Sequence, residues 1–493
     1  MCGIIGLCGT SNASQKVFRG LLTLQHRGQD AAGILTYDYF SRRFFLIKKS
    51  GLVAQVFDRS DLESLRGTTA IGHTRYSTVG KGEEIDVQPL VLNYPFGIGM
   101  VHNGNVVNYH DLARRLLEER HRQMLTTNDV EIIQNIFAEG LTQTGSGGGS
   151  PKLEDLARAV DQVFRAVVGG YSVIGIIAEQ GLIGFRDPHG IRPLVLGEKD
   201  GAGGGQKTYG LASESIALQV LGYRVLRDLL PGELVFVNAE GKLTSKVVQS
   251  LAPRPCMFEW VYFAGAESIL SERAVYGVRL NLGRELARIV AELRRKGTIK
   301  PDIVVPIPET SRSAAVSLAE ELKIPYREGL IKNRYIQRSF ILQTQEARQE
   351  AVELKLNPVR SEIEGKNLLL VDDSIVRGNT SRKIVSLVRS AGAREVYFAS
   401  TCPPIRYPCY YGIDFPLSEE LIAHNRDEQA IAESVQADRV IYMDVPGLQR
   451  AIGLDSLCMA CLNMDYPTDV SAAQDFGEWR IRDRSAADRK GTA

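Results

Sequence analysis

Residues 368–381 read Leu-Leu-Leu-Val-Asp-Asp-Ser-Ile-Val-Arg-Gly-Asn-Thr-Ser. The apolar run Leu368 to Val371 predicts a short strand buried on both faces, as in parallel sheets. Two carboxylates, Asp372 and Asp373, stand where that strand ends. Small and hydroxyl residues follow (Ser374, Gly378, Asn379, Thr380, Ser381), and Lys383 to Arg389 then has the pattern of the first turns of a helix. A strand, a donor-rich turn and a helix N-terminus make a cradle for a phosphate, because free N–H groups and the helix dipole both favour an anion. Ligands of open α/β sheets gather beyond the carboxyl ends of the strands. Paired acids there suit vicinal sugar hydroxyls and a hydrated Mg²⁺. The plainer alternative, a capped helix beside two exposed acids, accounts for the acids but not for the whole run.

This stretch resembles the phosphoribosyl-pyrophosphate (PRPP) loop of the type I phosphoribosyltransferases. The resemblance implies that Asp372 and Asp373 face the ribose and Mg²⁺. It also implies that Ser374 to Thr380, with Val376, Arg377, Gly378 and Asn379 among them, wrap the 5-phosphate. Asp302 to Pro308 reads as a second buried strand, and Glu309-Thr-Ser-Arg-Ser313 opens a helix. Either Thr310 or Ser311 resembles the family's hydroxyl residue near the metal. A helix is expected over about Val278 to Lys296, and strands near 325, 368 and 396, giving a mostly parallel sheet with helices on both faces. Phe258 to Ala264 reads as a strand-like apolar run after a linker, Pro253-Arg-Pro-Cys256. Ile331 to Phe340 is basic and without periodicity, an ordinary exposed loop by pattern. By the resemblance it is the mobile loop that closes over PRPP, with Lys332, Arg334 and Tyr335 as closing residues.

The other end of the chain carries a different chemistry. Removal of Met1 would leave Cys2 with a free α-amine beside its thiol, a nucleophile with its own proton shuttle. Four polar segments follow. Gln25 to Gly33 is a Gly-containing loop, and Gly72-His-Thr-Arg-Tyr-Ser-Thr78 follows a short strand, Thr69 to Ile71. Val101-His-Asn-Gly-Asn105 reads as a tight turn at a strand end. Thr126 to Glu131 reads as a helix cap before Ile132 to Phe137. Each alone has a structural explanation. In this order after Cys2 they resemble the class II, N-terminal-nucleophile glutamine amidotransferases. That resemblance implies a γ-glutamyl thioester on Cys2 and an oxyanion hole from Asn103 and Gly104. It assigns the substrate's carboxylate to Arg75 and its ammonium to Asp129, with Arg27 and Gly28 in a loop closing over the site. The fold it implies is an α+β sandwich of two antiparallel sheets between helices (αββα). Arg186 to Pro193 is a turn that also matches the family, and Leu234 to Val237 is expected as the last strand. Gly145 to Ser150 and Gly201 to Gly205 read as surface insertions.

The 493 residues suffice for two or three domains, expected at 1–250 and 251–467 with a polar tail at 468–493. A formal net charge of +1 gives no reason to expect a nucleic-acid partner, and no apolar run reaches the length of a membrane span. The N-terminus lacks the basic start of a signal peptide, so a cytoplasmic location is expected. Seven cysteines, an odd number, argue for catalytic or metal-bound thiols over a disulfide framework. Cys458-Met-Ala-Cys461 is open to redox, zinc or iron–sulfur use. With Cys256 and Cys409 it resembles the ligand set of the iron–sulfur subset of PRPP amidotransferases, which implies a [4Fe–4S] cluster, though four thiolates equally suit zinc. Cys8 and Cys402 read as buried structural thiols.

Together the resemblances span Cys2 to about Pro467 and point to the PRPP amidotransferase family. They imply glutamine hydrolysis, passage of ammonia through a shielded channel, and its attack on C1 of PRPP to give phosphoribosylamine. Mg²⁺, purine nucleotide inhibitors and a homotetramer come with the family. A different class II amidotransferase would lack the 368–381 loop. A non-catalytic regulator would not need Cys2, and a metal-scaffolded structural protein would need the cysteines alone.

Overall fold

The computed structural model describes residues 1–76, 84–143, 151–201, 205–333, 356–415 and 417–473. The expected Arg334 and Tyr335, and the insertion at 145–150, lie outside them.

The N-terminal half is two stacked antiparallel sheets. Strand Gly3–Cys8 lies mid-sheet between Thr69–Arg75 and Thr208–Ala212. The second sheet holds Ile98–Val106 against Gly169–Ile177, which pairs onward with Gly181–Arg186. Ile4, Leu35, Ile71, Val101, Ile174 and Leu182 are fully buried in the core between the sheets. Helix Ala13–Thr23 covers the outer face of the first sheet, and helices Asp129–Thr142 and Leu153–Ala166 cover the second. This is the expected αββα sandwich.

The C-terminal half carries a four-stranded parallel sheet in the order Ile303–Pro306, Asn367–Asp372, Glu395–Ser400, Arg439–Tyr442. Leu368 to Val371 are fully buried, as a strand covered on both faces requires. One apolar core continues from Ile5, Val17 and Leu21 through Met257, Trp260 and Leu282 to Leu457 and Leu462, so the seam between the halves is packed, not hinged. Among the described residues no helix is long and apolar enough to cross a membrane.

Several elements depart from the sequence expectation. Asn103-Gly104 is not a turn but lies inside Ile98–Val106, where Gly104 at φ +152° passes so close to the next strand that a Cβ would sit 2.1 Å from the Gly170 carbonyl oxygen. Strand Thr69–Arg75 runs on into the motif expected to follow it, as far as Arg75. Phe258 to Ala264 is not a strand. Glu259–Phe263 forms a wide helical turn, closed by the Ala264 N–H donating to the Glu259 carbonyl (2.9 Å), and the turn sets the Glu259 carboxylate against Arg27 and Arg192. Leu243–Val247 follows the strand expected to be last. Near 325 there is only a single bridge, Val304 to Tyr326. The helix after the acids begins at Asn379, earlier than its apolar pattern. The tail is tied down at its start, since the Thr468 N–H donates to the Tyr411 hydroxyl (3.1 Å).

Candidate active sites and the seam between them

Cys2 is half-buried at the head of the central strand. Its N–H donates to Asn103 Oδ1 at 3.1 Å, and its Sγ lies 3.8 Å from the Tyr76 carbonyl oxygen. The other end of the Asn103 carboxamide is buried, and Nδ2 has no partner among the described residues. A buried amide donor costs free energy unless something accepts from it. An oxygen that becomes negative beside Cys2 would be such an acceptor. Gly104 extends the same strand.

Asp129 is fixed from two sides. The Val106 N–H donates to Oδ2 (3.0 Å), and Oδ1 lies 3.2 Å from His102 Nε2. Gln88 in turn grips both the backbone N–H and Nδ1 of His102, at 2.7 and 2.9 Å. Sequence reasoning missed His102 and Gln88; the His in Val101-His-Asn-Gly was the available signal. Arg75 ends its strand, buried, and Gly28 explains itself sterically: a Cβ there would meet the Thr74 and Arg75 backbone at 2.6 Å.

Arg27 differs from its expected role. It is fully buried, and its guanidinium is committed elsewhere. Nε donates to the Cys2 carbonyl (3.1 Å), Nη1 to Glu214 (2.6 Å), and Nη2 to both oxygens of Glu259 (3.0 and 2.9 Å). Glu259 also lies 3.4 Å from Arg192, itself fully buried. These two arginines and two glutamates form a charge-balanced set in the packed seam. Glu259 was legible only as the one charge in an otherwise apolar run.

Burial works against the Glu214 charge, yet Arg27 and His26 hold its carboxyl well below the usual carboxylate range. A carboxyl depressed on folding stabilises the fold above its unfolded value near 4.5, and that support is lost as pH falls through the folded value. The melting temperature should therefore fall with acid below about pH 4.5. Its slope in that range should be shallower in Glu214→Gln. Equal slopes in thermal melts of the two proteins would exclude the effect.

At the other end, Asp372 and Asp373 lie at the carboxyl edge of the parallel sheet. The Thr310 hydroxyl donates to Asp373 Oδ2 and the Ser374 hydroxyl to Oδ1 (2.7 Å). Ser311 instead donates to the Ile307 carbonyl, so Thr310 is the hydroxyl joined to the acids. Burial raises the proton affinity of both carboxyls, and Asp373 raises that of Asp372 further. Gly378, at φ +77°, caps helix Asn379–Ser390, leaving the first-turn N–H groups of Asn379 and Thr380 facing the cradle. The Ile422 N–H donates to the Val376 carbonyl (2.9 Å), pinning the turn. The Arg377 guanidinium turns to Glu420 and the Asp414 carbonyl through Nε and Nη2. Lys332 ends a ribbon of Leu330–Lys332 and Leu356–Pro358, which forms the base of the basic loop.

Cys256, Cys409, Cys458 and Cys461 are all buried, and none forms a disulfide. Cys256 and Cys458 are bridged through their backbones, and the Cys461 carbonyl accepts from Arg406 and Tyr407 N–H groups just before Cys409. Burial first, and then the neighbouring thiols of Cys409, Cys402, Cys256 and Cys458, push the Cys461 thiol well up. Among the described residues, no three His, Cys, Asp or Glu side chains are set to hold a single metal ion.

Two family models match, a glutamine amidotransferase domain over residues 73–219 and a phosphoribosyl transferase domain over 279–410. The amidophosphoribosyltransferase of Pseudomonas aeruginosa is 44% identical over 480 residues, covering 96% of this chain and 94% of that one. Its Escherichia coli namesake is 43% identical, covering 92% and 88%. The glutamine PRPP amidotransferase of Bacillus subtilis, solved with ADP and GMP, superposes with a TM-score of 0.82 at 36% identity, covering 95% of this chain and 98% of that one. The chain belongs to the amidophosphoribosyltransferase family, whose members move nitrogen from glutamine to PRPP in the first step of purine biosynthesis.

Proposed function

We propose that the reaction is divided between Cys2 and the Asp372–Asp373 cradle as follows. The Cys2 thiolate attacks the glutamine amide carbon, and Asn103 Nδ2 and the Gly104 N–H receive the oxyanion. Arg75 and Asp129 hold the substrate's carboxylate and ammonium, and Gly28 keeps the floor beneath them clear. Ammonia leaves and the thioester is hydrolysed. The observation that carries this half is the buried Asn103 Nδ2, a donor that finds no acceptor among the described residues beside the nucleophile.

In the other half, Asp372 and Asp373 meet the ribose hydroxyls while residues 374–380 hold the 5-phosphate. Two carboxyls of raised proton affinity, Asp373 buried and Asp372 half-buried, with Thr310 hydrogen-bonded to Asp373, fit a hard divalent cation. Bound there, Mg²⁺ would supply charge neutralisation to the departing diphosphate. Lys332, with Arg334 and Tyr335, closes over the diphosphate and excludes water. The unbroken apolar core across the seam favours a sheltered passage for ammonia. The cradle would also accept a purine nucleotide through its ribose 5-phosphate, in line with the nucleotides on the Bacillus subtilis relative.

Cys256, Cys409, Cys458 and Cys461 would hold a [4Fe–4S] cluster. All four are buried, Cys256 and Cys458 are bridged through their backbones and Arg192 is close by, which fits a thiolate-bound centre, since metal binding keeps thiols ionised where burial alone would protonate them. Zinc fits by ligand count alone. Anaerobic purification with metal analysis and a visible spectrum separates the two. A homotetramer in the cytoplasm completes the reading, and light scattering tests the assembly.

The experiment for the whole is glutamine hydrolysis with and without PRPP and Mg²⁺. Glutamate release should rise at least about fivefold when both are present, and diphosphate should appear with it. An unchanged rate without diphosphate would remove the PRPP role of Asp372 and Asp373.

A further inference from the structure

Residues Cys409 to Gly412 pass from the C-terminal half along the strand that bears the oxyanion donors. The Asn105 Nδ2 donates to the Tyr410 carbonyl at 2.9 Å. Gly412, at φ +101°, lies flat on Gly104: a Cβ there would come 3.0 Å from the Gly104 carbonyl oxygen and 3.1 Å from its carbon. Between these two contacts the Tyr411 carbonyl accepts from Arg192 through Nε (2.8 Å) and Nη2. Arg192 is in turn placed by the Arg186–Pro193 turn, whose tightness comes from Asp187. Its carboxylate accepts from the N–H groups of His189 (3.0 Å) and Ile191 (2.9 Å), and Arg186 ties back to the Arg192 carbonyl. Apart from the place of Arg192 beside Glu259 and the buried thiols, that motif has no part in the chemistry assigned so far. Its consequence is a guanidinium that clamps a backbone carbonyl of the other half directly over residues 103–105.

We propose that Tyr410–Gly412, clamped by Arg192, is a positioning element for the glutaminase half, holding Asn103 and Gly104 in register with Cys2. It rests on the assignment of Asn103 and Gly104 as oxyanion donors. Oxyanion donors act only when preorganised, so a small shift of the strand lowers kcat while leaving substrate binding nearly unchanged. A strap that served only to hold the domains together would, on loosening, affect both half-reactions.

The test compares Asn105→Ala, Gly412→Ala and Arg192→Lys with Asn103→Ala in the full-length protein. Asn105→Ala removes one tie, and Gly412→Ala pushes the strap off Gly104. Arg192→Lys keeps the charge without the fork. The first two should lower kcat for glutamine hydrolysis by about ten- to a hundredfold, with KM for glutamine changed less than about threefold. Arg192→Lys should fall between them and the unmodified protein. Ammonium-dependent phosphoribosylamine synthesis, which bypasses Cys2, should stay within about twofold in all three and reports an intact fold. Unchanged kcat in both Asn105→Ala and Gly412→Ala, with Asn103→Ala impaired, overturns the strap alone. Parallel loss of hydrolysis and ammonium-dependent synthesis also overturns it, as a plain structural contact. Full activity in Asn103→Ala removes the oxyanion assignment and the strap's purpose with it.

Discussion

Cys2→Ala should abolish phosphoribosylamine synthesis from glutamine and leave synthesis from added ammonium intact. On the proposed division Cys2, at the head of strand Gly3–Cys8, is the nucleophile that forms the thioester, and an alanine methyl group cannot replace it. The proposed PRPP cradle lies in the other half, on a separate sheet. Asn103→Ala gives the graded counterpart. It deletes Nδ2 as a donor and should lower kcat for hydrolysis by about 10²- to 10³-fold, the usual loss for one oxyanion donor. It also deletes the acceptor of the Cys2 N–H, so a modest loss of stability is expected beside the kinetic effect. Both variants are read by separate glutamine- and ammonium-dependent assays. If Cys2→Ala lost the ammonium reaction while melting at the usual temperature, the division into two sites would be wrong.

The sequence was most informative where one local pattern carries both structure and chemistry. Residues 368–381 could be read because a buried parallel strand is a continuous apolar run, and the acids mark its carboxyl end. The positions of Cys2, Asn103 and Asp129 could be read as motifs in chain order. Their local geometry was less accessible. Asn-Gly is the commonest hairpin signal, so Asn103-Gly104 was expected as a turn. Its glycine serves close strand approach instead, a demand set by Gly170, far away in sequence. The run Phe258 to Ala264 failed for a related reason. Apolar residues buried on every side leave no periodicity from which to tell a strand from a helical turn. Least legible were Arg192, Glu214 and Glu259, whose meaning is their convergence from distant segments. A single sequence records a buried charge but not its partner.

Arg27 is the residue on which motif and structure disagree most, and Arg27→Met should settle it as a stability variant. The motif makes Arg27 part of a loop over glutamine; the fold makes it a buried pin. Removing its charge leaves Glu214 with His26, the Gly265 N–H and the Ser268 hydroxyl, and Glu259 with Arg192 at 3.4 Å. Breaking a buried ion pair by deleting one partner typically costs about 3–5 kcal/mol, because the remaining charge stays desolvated. Arg27 serves two carboxylates and the Cys2 carbonyl, so its loss belongs at the upper end of that range. Glu259→Gln should cost less, since the amide retains the shape and one acceptor while Arg27 keeps Glu214. Unfolding in guanidinium, followed at both halves, is the measurement. A pin at the seam predicts that the two halves lose cooperativity with each other, because the charges that join them are no longer matched. If Arg27→Met instead melted normally and only raised KM for glutamine, the motif would be right and the buried pairing incidental. The physical case favours the pin. A guanidinium with Nε, Nη1 and Nη2 all engaged inside a dry seam keeps one Nη1 N–H at most for another partner and has no low-cost route out to a substrate.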